Sequence, residues 1–412
     1  MAFGRRLTAL VFKEGHTVDL LQGGSEFFPA LIGAVDASLH EVRLETYIFS
    51  FDAAGEAVAA ALERAAQRGV QVYLVMDGIG TPTVPEAWAR RFTEARVQWR
   101  RFSPLGPWGL LPSVGWRRLH RKLCVVDACV AFCGGINILD DYFDPSYGTL
   151  ESPRFDFAVR VQGDLVSDAH QTMVRLWERL QIARQLEQLE FKEARQTWKA
   201  AAQSMRAAGA MPDVPAPGSL TGVSAALVLR DNLRNRTRIE RAYRRAISTA
   251  REEVLIANAY FLPGGKLRRA LIHAARRGVR VRLLLQGRYE YFMQYHGARP
   301  VLGVLLAAGV EIHEYGVGFL HAKVAVVDGQ WATVGSSNLD PLSLLLAREA
   351  NVVINDAPFA QELRARLIHA MQTQGVQLDA QTFANRPWRQ RLLDRVAFGV
   401  MRLLLYLTGN SY

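Results

Sequence analysis

The chain has 412 residues, half of them apolar and 22% charged. That composition excludes whole-chain disorder and gives room for two domains whose cores need no disulfide or metal. Lys and Arg outnumber Asp and Glu by 50 to 39, a formal charge of +11; such a balance suits anionic partners (nucleic acid, acidic headgroups, other phosphates) or a merely basic surface, and says nothing of site chemistry.

From the N-terminus, residues 1–21 carry two arginines and only a short apolar stretch, too weak for a signal peptide. No run reaches the ~18 apolar residues of a membrane span. Residues 24–54 read as a helix, then charged residues, then a strand ending in aromatic residues. A second helix, GEAVAAALERAAQRG, ends at Gly69, where a C-cap glycine is expected, and strands follow over 70–76 and 95–99. Residues 104–118 form an apolar, aromatic loop with Arg117 and Arg118 at its end. Cys124, Cys129 and Cys133 then fall in one apolar run. Their odd number and non-zinc spacing predict buried, reduced thiols, which favours a cytosolic setting. Residues 183–216 are a charged helical stretch followed by AAGAMPDVPAPGS, a linker composition.

Beyond the linker the chain repeats itself. Residues 235–265 follow the pattern of 24–54, GGKLRRALIHAARRG ends at Gly278, and strands over 279–285 and 308–312 match those over 70–76 and 95–99. Strand–helix alternation predicts an α/β fold, a mixed β-sheet flanked by helices in each copy. A repeat this long is a duplicated domain, since solenoid repeats span only ~20–50 residues. The expected division is 1–182, a helical and linker segment 183–222, 223–380, and a tail 381–412.

Each copy contains one closely matched hairpin. The first has His120, Lys122, Asp127, Gly134 and Asn137; the second has His321, Lys323, Asp328, Gly335 and Asn338, at identical spacing. A period of two puts His and Lys on one strand face. Asp followed by Ala or Gly is turn chemistry, and a second strand carries the chain back to the Asn. One such hairpin would be read as an ordinary satisfied His and a solvated Lys. Two with the same spacing point to a paired site.

The doubled pattern His-x-Lys-x4-Asp-x6-Gly-x-x-Asn resembles the phospholipase D superfamily. The order of elements and the size of the chain are similar to the short bacterial cardiolipin synthases. The resemblance implies two pseudo-symmetric phospholipase D-like domains with the active site at their interface. A neutral imidazole can attack a phosphodiester without charge repulsion, and a second, protonated imidazole can donate to the leaving alkoxide. By resemblance His120 is the nucleophile and His321 the acid, although two halves so alike leave this direction open. Lys122 and Lys323 would hold non-bridging oxygens. Asn137, Asn338 and Ser336 are further candidate phosphate donors. Asp127 and Asp328, part of the catalytic motif, would mainly organise the hairpins. Asp156 and Glu349, each at the start of a strand, would each orient a histidine. No metal or other cofactor is expected.

Two segments favour lipid over nucleic acid as the phosphodiester. Trp108, Leu110 and Leu111 sit in the apolar loop before His120. At the C-terminus Trp388, Leu392, Val396, Val400, Leu403 and Leu407 recur at helical spacing with Arg389, Arg391, Arg395 and Arg402 between them. This basic amphipathic helix either lies in a membrane surface or docks on the protein's own core. The expected partners are a membrane surface and anionic phospholipids, phosphatidylglycerol above all, with phosphatidylethanolamine open as a donor. The expected place is the cytoplasmic face of a bacterial membrane. The expected reaction is phosphatidyl transfer between two phosphatidylglycerols. Hydrolysis of phospholipids, a nuclease and an inactive phosphate-binding module are the rivals, and intact His, Lys and Asn in both copies speak against the last.

Overall fold

The structure is a computed structural model describing residues 10–103, 117–187, 193, 195–200, 222–231, 235, 237–340 and 347–407, with 404–407 as backbone only. The first half runs β1 (Lys13–Gln22), α1 (Gly23–Asp36), β2 (Glu41–Thr46), α2 (Ala53–Gln67), β3 (Gln71–Asp77), α3 (Glu86–Glu94), β4 (Gln98–Phe102), β5 (Arg118–Leu119), β6 (Lys122–Val126), β7 (Val130–Gly134), the small pair β8 (Phe143–Asp144) and β9 (Gly148–Thr149), β10 (Phe157–Gln162) and α4 (Leu165–Glu187). The second half runs β11 (Val223–Arg230), α5 (Arg238–Thr249), β12 (Glu253–Asn258), α6 (Gly265–Arg276), β13 (Arg280–Gln286), α7 (Phe292–Leu306), β14 (Glu311–Tyr315), β15 (Lys323–Val327), β16 (Trp331–Gly335), β17 (Ala347–Asn355) and α8 (Ala357–Thr373). It then adds β18 (Gly375–Gln377), α9 (Ala380–Ala384) and α10 (Trp388–Leu407).

Strand order shows the duplication directly. The first half is ordered β4-β3-β2-β6-β7-β10-β1, and the second β14-β13-β12-β15-β16-β17-β11. Strands β1 and β11 pair antiparallel, joining the two sheets edge to edge. Strand β18 covers the outer edge of β14.

Alternation along the strands builds three large cores, beside a smaller one around Leu119 and Trp177. Leu123 and Val125 of β6 and Val324 and Val326 of β15 point into one central core shared by the halves. Helices α4, through Leu165 and Met173, and α8, through Leu363 and Leu367, complete it. The alternate residues, Cys124 and Val126 or Ala325 and Val327, face outward under the outer helices of their own half. Burial on both faces is why these strands read as unbroken apolar runs rather than alternating ones.

The helix ends match in both halves. Gly69 (φ 93°) and Gly278 (φ 89°) adopt the left-handed conformation. Val70 N then donates to Ala65 O, and Val279 N to Ala274 O, each at 3.1 Å. These are Schellman caps, and glycine relieves their steric cost. Cys124 and Cys133 are buried free thiols, but Cys129 is exposed in the β6–β7 turn. The apolar run is interrupted there by a turn (Asp127, Ala128 and Cys129), which the expectation of three buried thiols overlooked.

Candidate active site

The two histidines sit just before β6 and β15, where the halves meet. Strand β5 crosses to pair parallel with β17 of the other half, Leu119 beside Arg348. His120 N then donates to Arg348 O at 3.1 Å. The reciprocal crossing pairs Leu320 with Phe155, and His321 N donates to Phe155 O at 2.9 Å. Each approach is braced by the last residue of the neighbouring strand. Leu119 N donates to Asp77 Oδ2 at 2.7 Å, and Leu320 N donates to Gln286 Oε1 at 3.4 Å.

Both carboxylates reach a histidine, and each reaches across. His120 Nδ1 lies 3.1 Å from each oxygen of Glu349, and His321 Nδ1 lies 2.6 Å from Asp156 Oδ2. With Nδ1 engaged, Nε2 is the nitrogen left for a substrate on both rings. Lys122 Nζ donates to His120 O at 2.8 Å, and Lys323 Nζ donates to His321 O. These bonds fold each lysine back onto the backbone of its own histidine.

Burial and like charge set the electrostatics. Burial holds both imidazoles below their usual range; Glu349 partly opposes this at His120, while Lys323 and Lys122 add to it at His321. Lys122 falls to about 7 through burial and the charge of Lys323, and Lys323 to about 8 through burial. The carboxylates differ. Burial lifts Asp156 to about 7. Burial also works upward on Glu349, but His120, Arg230 and Lys122 outweigh it and keep that group below the carboxylate range. Buried lysines and imidazoles held below their usual range suit a phosphodiester anion and a neutral imidazole.

The other expected residues divide. Asn137 and Asn338 are buried at the ends of their hairpins. Asn137 Oδ1 accepts from Ile48 N at 3.2 Å, so any donor role falls to its amide nitrogen. Ser336 is placed differently from a phosphate ligand. Its hydroxyl donates to Glu349 and accepts from Ala350 N, so it positions the carboxylate. Its counterpart Gly135 has no room for a side chain, because a Cβ there would lie 2.2 Å from Asp156 Oδ1.

Asp127 and Asp328 do not reach the site. They occupy left-handed turns at the far ends of β6 and β15, roughly 15 Å along the strand from Lys122 and Lys323. Asp127 accepts from the N–H groups of Leu39, His40 and Glu41, and Asp328 from those of Arg251, Glu252 and Glu253. They clamp each hairpin to the start of β2 or β12, and their place in the catalytic motif is structural.

Trp108, Leu110 and Leu111 lie outside the described residues. Helix α10 docks on the protein's own core through one face and leaves another face exposed. Its Asp394, Ala397 and Met401 are buried, with Asp394 bonded to His296 Nδ1 of α7 at 2.7 Å. Trp388, Leu392, Val396, Val400 and Leu403 are exposed on another face. No helix among the described residues is long and apolar enough to cross a membrane.

Sequence reasoning missed Asp77 and Tyr47. Asp77 ends the strand read over 70–76, one residue past the apolar run that marked it. Tyr47 lies with its ring centroid 4.9 Å from that of His120 and 5.4 Å from Lys122 Nζ. The aromatic pattern at the strand end was the available signal.

Known proteins bear on this geometry. Residues 31–151 and 243–371 each match the family model described as "Cardiolipin synthase, PLD-like domain". Cardiolipin synthase B of Escherichia coli K12 is 37% identical over 399 residues, covering 97% of this chain and 91% of that protein. The cardiolipin synthase of Halalkalibacterium halodurans is 26% identical over 377 residues, covering 91% of this chain and 70% of that one. The phosphatidylserine synthase structure from Haemophilus influenzae Rd KW20 shares the fold, with a TM-score of 0.65 at 14% identity and 96% coverage of both chains. A doubled hairpin, one site between two halves and similarity along nearly the whole chain agree: the protein belongs to the phospholipase D superfamily, within its cardiolipin synthase family.

Proposed function

We propose that this enzyme moves a phosphatidyl group from one phosphatidylglycerol, through a phosphohistidine, to a glycerol hydroxyl of another, giving cardiolipin and glycerol. The observation that carries the reading is the pair of crossed His–carboxylate contacts enclosing two desolvated lysines.

The difference between the carboxylates supports His120 as nucleophile and His321 as acid. Charged Glu349 accepts the Nδ1 proton of His120 and leaves its Nε2 lone pair for phosphorus. Asp156, whose carboxyl burial pushes up to about 7, can in its protonated form hydrogen-bond the Nδ1 lone pair of His321, which leaves the ring proton on Nε2, and it passes its own proton to Nδ1 as the Nε2 proton departs. His120 Nε2 forms the bond to phosphorus as the glycerol oxygen departs and takes the proton from His321. In the second step an incoming hydroxyl gives its proton to His321 and bonds to phosphorus, and the bond to His120 breaks. Lys122 and Lys323 offset charge on the non-bridging oxygens in both steps. The exposed apolar face of α10, with Arg391, Arg395 and Arg402 beside it, supports peripheral attachment to an anionic bilayer.

Mass spectrometry of phosphatidylglycerol vesicles after adding purified protein tests the reading. Cardiolipin with glycerol release is expected. Phosphatidic acid in its place would make the enzyme a hydrolase, and unchanged lipid would sink the lipid reading.

A further inference from the structure

The second half holds a pocket on whose lining it differs from the first half. It opens between the ends of β12 and β13 and helix α7, with about 710 Å3 of empty space, its mouth included. Leu285, Leu302 and Met401 supply apolar walls. Strand register equates Ala259, on its lining, with Tyr47 of the first half, because Phe49 and Phe261 make matching bridges to Ile138 and Leu339. In the first half the phenol of Tyr47 stands beside His120, and Thr81 closes the loop by bonding Tyr47 O and Phe49 N. Alanine at the matching position carries no ring, and it lines the pocket.

Acceptors line the opening. Glu290 Oε2 accepts from Tyr260 Oη at 2.5 Å, and its Oε1 accepts from Gln286 Nε2 at 2.7 Å. Each of those oxygens keeps a second lone pair. Gln294 Oε1 is buried and meets no hydrogen-bond partner among the described residues. Gln286 also receives Leu320 N, one residue before His321, so the pocket adjoins the reacting centre. Carboxylate and amide oxygens repel phosphate but receive hydroxyl protons. Apolar walls suit a short carbon skeleton.

Building on the phosphatidyl-transfer reading above, we propose that this pocket reads the hydroxyls of a glycerol headgroup, for both the departing glycerol and the incoming lipid. The primary hydroxyl faces His321, gives it a proton and bonds to phosphorus as the bond to His120 breaks. The remaining hydroxyl donates to Gln294 Oε1 or Glu290.

A competition assay tests this. Full-length enzyme is given phosphatidylglycerol vesicles with equal deuterated glycerol and 1-propanol, and mass spectrometry compares labelled phosphatidylglycerol with phosphatidylpropanol. The wild type should favour glycerol, and Gln294→Leu and Glu290→Gln should each lower that preference about tenfold, as expected for loss of a buried hydrogen bond. A product ratio does not depend on how much variant folds. An unchanged ratio in both variants overturns the pocket while leaving transfer intact. Loss of both products in both variants also overturns it, because a hydroxyl subsite leaves the phosphodiester chemistry in place. Failure of the wild type to transfer to either alcohol sinks the transfer reading itself.

Discussion

The two halves share strand order, hairpin spacing and helix caps, yet they differ around their histidines. Under His120, Arg121 and Glu45 form a buried ion pair; the matching positions under His321 are Ala322 and Ala257, both buried. Glu349 at His120 is held below the carboxylate range by nearby cations, while burial lifts Asp156 at His321 to about 7. Tyr47 closes space on one side and Ala259 opens it on the other. Duplication supplies two copies of one catalytic unit. A transfer with a nucleophile on one side and an alcohol on the other needs them unequal, and the differences sit where that need lies.

Removing each histidine is the strongest way to break this comparison. His120→Ala should lower transfer by roughly 10^6-fold, the scale for loss of an activated nucleophile. His321→Ala should cost about 10^2–10^4-fold, and much of that should return with a nitrophenyl phosphodiester whose leaving group needs no proton. Equal losses on both substrates would reverse or erase the division of roles. The carboxylates sharpen it next. Glu349→Gln should reduce kcat by about 10^4-fold, as loss of a charged orienting group does elsewhere. Asp156→Asn should reduce it far less, since its carboxyl already carries a proton part of the time; steady-state kinetics of both variants decide.

Stability should separate the halves as well. Glu45→Ala leaves Arg121 buried and unpaired, at a cost of about 3–5 kcal/mol in urea unfolding. The double change with Arg121→Ala imitates the second half and should recover most of that loss; no recovery would show that the pair is not the cause. On pH, Lys122 near 7 and Lys323 near 8 are charged below those values and neutral above them. The profile of kcat/KM should therefore fall as pH rises through 7–8, and Lys122→Met should remove the lower step. A profile flat to pH 9 would mean that the lysines remain charged in the free enzyme. Helix α10 gives the smallest effect. Leu392→Glu with Val396→Glu should weaken sedimentation with anionic vesicles about tenfold or more, without changing turnover of a soluble phosphodiester.

Sequence alone determined the duplication, because apolar periodicity and glycine caps are local and were written twice. It also singled out His120, Lys122, His321 and Lys323 as candidate site residues, because the same spacing occurs in both copies. It could show that Asp156 and Glu349 begin strands, but not that each serves the histidine of the other half. That crossing depends on β5 pairing with β17 and Leu320 with Phe155, contacts between residues about 165 to 230 positions apart. Turn chemistry put Asp127 and Asp328 in the hairpin turns, but only the fold shows that they accept from the backbone at the start of β2 and β12. Ser336 looked like a phosphate ligand until β16 lay beside β17 and brought it to Glu349. Helical spacing showed one apolar face on α10 but not which face would dock. Local patterning records what a segment can present; only packing decides what it meets, because partners distant in the chain leave no period to read.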